Sequence, residues 1–99
     1  MKSFSHAVFS DIENVVSEVF EIPDIKNKCH KRDITDSKKV FAYMCYRYTT
    51  ATHESIANYI GINRTTIHYY FKNMPVSDGN FSHKLTMCIK RWELISNLS

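Results

Sequence analysis

The residues best placed to do chemistry lie between His53 and Lys72, in the stretch HESIANYIGINRTTIHYYFK. Asn63, Arg64, Thr65, Thr66, His68, Tyr69 and Lys72 fall where a helix starting near residue 63 would turn them outward. Asparagine, arginine and threonine can pair with base edges, and lysine and arginine neutralise phosphates. That is recognition chemistry for duplex DNA. Bond-making chemistry has no comparable support. A nucleophile needs an oriented base, and no Ser/His/Asp or Cys/His arrangement stands out, so the chain does not read as an enzyme.

What could hold such a row in place is visible in the same stretch. Counting His53 as the first position, Ala57 falls fifth and Gly61 ninth, with Ile56, Ile60, Ile62, Ile67 and Tyr70 at fourth, eighth, tenth, fifteenth and eighteenth. Ala57 allows two helices to approach closely, and Gly61 can take the positive φ that ends the first of them. The five apolar residues then face a core from both helices. This is the spacing of a DNA-binding helix-turn-helix. A plain helical hairpin with a polar outer face would give part of the same pattern.

Other site chemistries find little footing. The three cysteines, at 29, 45 and 88, form no C-x-x-C pair. An odd, scattered set argues against a disulfide framework and suits a reducing cytosol, with Cys45 and Cys88 acting as small hydrophobes. The histidines at 6, 30, 53, 68 and 83 show no metal-ligand spacing, so neither a metal nor a cofactor is expected. No apolar run approaches membrane-spanning length, and no signal-peptide core is present.

Charge is unevenly placed. Residues 1–26 carry two Lys against five acids, and residues 27–99 carry eleven Lys or Arg against five acids. A basic remainder behind an acidic first helix suits a surface polarised towards polyanions. At 99 residues the chain is long enough for one domain with a modest core.

Helical periodicity recurs throughout, and no segment reads as strand. Val8, Ile12, Val15, Val16 and Val19 mark a helix from about His6 to Glu21, stopped by Pro23, with a short helical turn over Pro23 to Lys26. The run KNKCHKR, Lys26 to Arg32, is the densest basic segment and reads as a solvated or phosphate-contacting loop. Asp36 or Ser37 then caps a helix from about Lys38 to Thr49. Tyr43, Tyr46 and Tyr48 read as core and core margin in preference to the alternative, a base-stacking platform. Thr52 and Asn63 are the natural caps of the next two helices. A turn-rich break over 75–80 leads to a last helix from about Phe81 to Ser96, with the stripe Phe81, Leu85, Cys88, Ile89, Trp92 and Ile95, and Trp92 in the core. The expected architecture is all-α, a compact bundle of about five to six helices in a single domain.

This order of parts resembles the C-terminal DNA-binding domain of the bacterial replication initiator DnaA, of the Trp-repressor-like helix-turn-helix group. The likeness is carried by IENVVSEVFEIPDIKNK (12–28), KKVFAYMCYRYT (38–49) and IANYIGINRTTI (56–67), and it spans roughly residues 8–96. Thr65 and Thr66 match the paired threonines that in the family contact bases and backbone in the major groove. Asn63 stands where the family has aspartate and Arg64 where it has histidine, which implies a different preferred sequence. Tyr69 and Tyr70 replace a polar-then-alanine pair. The family's minor-groove arginine aligns with His30, so that job falls to Lys31 or Arg32 or is lost. The initiator's ATPase module has no counterpart, since no G-x-x-x-x-G-K-[ST] occurs, and no nucleotide is expected. The chain is either an excised domain or a small free-standing reader.

The resemblance implies sequence-specific binding of double-stranded DNA, related to replication initiation or transcription, in the cytoplasm and on the nucleoid of a bacterial or phage-infected cell. Asn63, Arg64, Thr65, Thr66, His68, Tyr69 and Lys72 would meet the major groove. Lys31, Arg32, Lys38 and Lys39 would hold the backbone or minor groove. The alternative is a protein-interaction or decoy module acting on replication or regulatory proteins, with the acidic first helix and exposed tyrosines as its surface.

Overall fold

The computed structural model describes residues 6–23, 25–26, 32–74 and 77–98. Over these it is an all-helical bundle: α1 (His6–Phe20), α2 (Arg32–Tyr48), α3 (His53–Ile60), α4 (Arg64–Lys72) and α5 (Gly79–Leu98), with no strand among the described residues. The helical turn expected over Pro23 to Lys26 is no helix where it is described, at residues 23, 25 and 26. Among the described residues, no helix is long and apolar enough to cross a membrane.

α1 forms as its valine spacing requires, burying Ile12, Val15, Val16 and Val19. It ends on Glu21 in the left-handed region (φ 55), with Glu21 N–H donating to the Glu18 carbonyl and Ile22 N–H to that of Ser17. Those two bonds satisfy carbonyls the last turn would otherwise leave open. α2 is the helix on which the others converge, since α1, α3, α4 and α5 all pack on it.

The start of α2 corrects the reading of the sequence. It begins at Arg32, not Lys38, so Asp36 and Ser37 are interior helical residues and not caps. Arg32 Nε reaches Asp36 Oδ2 at 3.4 Å, one helical turn on, and Ser37 Oγ donates to the Ile34 carbonyl at 2.6 Å. An acid in the first turn, Asp33, favours the helix dipole there. Packing then overrides the β-branched pair Ile34-Thr35. Asp36, Ser37 and Lys38 are all carried into burial. Burial pushes the Asp36 carboxyl above its ordinary value, and the Arg32 guanidinium offsets part of that.

α5 is capped by Asp78, whose Oδ1 accepts from Phe81 N–H at 3.0 Å and whose other oxygen pairs with Arg32. The Phe81 amide and the guanidinium hold this carboxyl below the usual carboxylate value. The α5 stripe fades along its length. Phe81 and Cys88 are buried and Trp92 is half-buried against the core, 6.1 Å from the Tyr48 ring, but Ile95 is 42% exposed. Trp92 is therefore core margin, and Ile95 lies outside the core.

Cys45 and Cys88 are free, buried thiols among the core hydrophobes. Burial raises both, Cys88 to about 12, so neither supplies a thiolate near neutral pH.

Candidate functional site

The geometry of α3 and α4 rests on short-range chemistry. Thr52 caps α3, its hydroxyl oxygen accepting from Ser55 N–H at 3.1 Å, and Glu54 sits in the first turn. Gly61 ends α3 in the left-handed region (φ 87), where Gly61 and Ile62 N–H both reach the Ala57 carbonyl at 2.9 and 3.0 Å. Two residues later Asn63 caps α4. Ile56, Ala57, Ile60, Ile67 and Tyr70 are buried, and Ile62 packs against them half-buried. The frame read from the spacing is present.

Gly61 offers a clean check on that turn. A Cβ added there would meet nothing within 4 Å, so the cost of Gly61→Ala is conformational alone. We expect a loss of about 1–2 kcal/mol in urea unfolding, the penalty of a left-handed L-residue, and a smaller loss for Gly61→Asn.

The outer row falls as expected in its main lines. Asn63, Arg64, Thr65, His68, Tyr69 and Lys72 are exposed and Thr66 is half-buried. Arg64, His68 and Lys72 follow at intervals of four and form a basic stripe along α4. Thr65 and Tyr69 lie beside that stripe, with Tyr69 59% exposed.

Two of the row are occupied locally. Asn63 Oδ1 accepts from both Thr66 N–H (2.8 Å) and Thr66 Oγ1 (2.9 Å). The asparagine carbonyl has two lone pairs, and both are used. A bidentate grip on adenine would need that oxygen as acceptor, so Asn63 serves the helix before it can serve a base. The Thr66 hydroxyl proton is likewise committed.

The flanking cations are less uniform. Arg32 is exposed but paired with Asp36 and Asp78, which together raise its pKa. Lys38 is 8% exposed, which removes it from any outer surface. Lys39 is half-buried, its Nζ 5.9 Å from the centre of the Tyr70 ring. Lys31 lies outside the described residues, as does most of the basic run 26–32. Lys26, which is described, sits 4.0 Å over the Tyr59 ring.

A feature the spacing did not announce adjoins the α4 stripe. His53 touches His68 edge-on (ring centres 4.8 Å) and Phe71 (5.0 Å), and Tyr46 lies 5.4 Å from His53 and 5.3 Å from Phe71. His53 borders two clefts. One is polar, lined by Thr52, Glu54, Arg64 and His68, and the other is apolar, lined by Tyr43, Tyr46, Phe71 and Met74. Tyr46 is 57% exposed, and Arg47 donates to the Tyr43 hydroxyl at 3.1 Å. These residues come from three helices, so sequence spacing alone could not group them. Among the described residues, no group of three or more His, Cys, Asp or Glu is arranged to hold a metal ion.

No protein-family model matches the chain, and no curated protein matches it either.

Proposed function

We propose that this protein binds double-stranded DNA in a sequence-dependent way, with α4 laid in the major groove as the recognition helix of a helix-turn-helix. The observation that carries the reading is the division of α4 into two faces. Ile67 and Tyr70 are buried against the bundle, while Arg64, Thr65, His68, Tyr69 and Lys72 are presented together on the outside. A row of donors and cations along one face of a short helix, with Arg64 and Thr65 at its N-terminal end, is what base edges and flanking phosphates require. The bundle is all-helical over the described residues, as this reading requires. Within this reading Arg64 and Thr65 are the base readers. Asn63 and Thr66 shape the helix start, Lys72 supplies a phosphate contact, and Arg32 is held by Asp36 and Asp78. Lys38, being buried, has no part.

The test is selection of bound duplexes from a random pool at stated salt. Enrichment of a motif that Arg64→Ala degrades is the expected result. A pool that never enriches would overturn the sequence-specific claim.

A further inference from the structure

We propose that the aromatic cleft beside α4 binds an unpaired nucleobase, with the attached phosphate directed to the polar cleft that shares His53. This goes beyond groove reading of a duplex, because a paired and stacked base cannot enter such a cleft.

Three observations point to this occupant. Tyr46, His53 and Phe71 form a triangle of mutually touching rings, and Tyr46 leaves more than half its surface to solvent. Every base has a π-face, so an aromatic platform binds bases with little regard to sequence. The cleft adjoins, through His53, one lined by Arg64 and His68. Among the described residues that line the two clefts, Glu54 is the one carboxylate, beside Arg64, His53 and His68. A flat apolar group bearing an anion complements this layout, and a nucleotide unit of single-stranded DNA is such a group.

The test uses the full chain and three DNA probes: a blunt duplex of the selected sequence, the same duplex with a short single-stranded tail, and a short oligothymidylate. Aromatic proton–carbon spectra should show the His53 and Phe71 ring signals moving upfield with oligothymidylate, the mark of stacking. Tyr46→Ala should weaken oligothymidylate, and the gain from the tail, by at least about five-fold, the lower end of what base stacking gives. Tyr46→Trp should restore both. Blunt-duplex affinity should change by less than about two-fold. Ring signals that do not move would overturn the proposal. So would a parallel loss of blunt and tailed duplex in Tyr46→Ala, or tighter occupation of the same rings by an acidic phenylalanine-containing peptide. Oligothymidylate binding without any duplex binding would leave the cleft standing and remove the groove-reading proposal instead.

Discussion

Phe41→Ala is expected to lower the unfolding free energy by about 3–5 kcal/mol, the usual cost of emptying a buried phenylalanine site. The Phe41 side chain is fully buried in α2 and meets one ring from each of two other helices. Phe9 of α1 lies edge-on at 5.9 Å, and Tyr59 of α3 is stacked at 5.6 Å. Tyr59 is itself anchored, donating its hydroxyl to Glu13 Oε1 at 2.6 Å, and burial with that carboxylate pushes its phenol up to about 12. Removing Phe41 thus loosens α1 and α3 at one point. A loss of this size is a large part of the roughly 5–15 kcal/mol that holds a domain together. Urea unfolding followed by circular dichroism is the check, with Phe41→Leu as the milder control. A cost below about 1 kcal/mol would mean that the ring cluster does not tie the three helices together.

The same experiment has a functional side. α3 positions α4 through the Gly61 turn, and Phe41 holds α3 by way of Tyr59. Duplex binding by Phe41→Ala should therefore fall as the folded fraction falls, with no change in preferred sequence. A change in preference would mean that the position of α4 depends on the ring cluster more directly than the packing indicates.

Legibility in the sequence followed the range of the interactions. Thr52, Gly61 and Asn63 act on amides and carbonyls within five residues of themselves, so α3, its turn and α4 could be read from local chemistry alone. The apolar frame was legible for the same reason, since Ile56, Ile60 and Ile67 repeat at helical spacing. The beginning of α2 was not. Its first turn is secured by Arg32 reaching Asp78, forty-six positions away, and by the burial of Asp36 and Lys38 where the other helices converge. The outer limit of the core was missed as well, because the α5 stripe keeps its spacing out to Ile95 after burial has ended. At the site, the outward row was visible but its internal bonds were not. Nor was the His53 contact with His68 and Phe71, which joins side chains fifteen or more positions apart.

The decisive result for the groove-reading proposal is the contrast among three substitutions on α4. Arg64→Ala and Thr65→Ala should each cost about 1–3 kcal/mol on a selected duplex and relax the preference at the base each reads. Arg64 is the stronger case, because its guanidinium can grip guanine with two hydrogen bonds, whereas a threonine offers one hydroxyl and a methyl. Lys72→Ala should instead weaken every duplex alike and reduce the slope of log affinity against log salt by about 1, since an ammonium on phosphate acts through counterion release. Asn63→Ala separates the helix start from the readers. Because its Oδ1 holds both the Thr66 amide and the Thr66 hydroxyl, its loss should appear as about 1 kcal/mol of stability, with the preferred sequence kept. Anisotropy titrations across a salt series, beside urea unfolding of each variant, measure all of these together. If Arg64→Ala and Lys72→Ala weakened all sequences equally, α4 would be a phosphate-binding helix, and sequence preference would have to come from elsewhere.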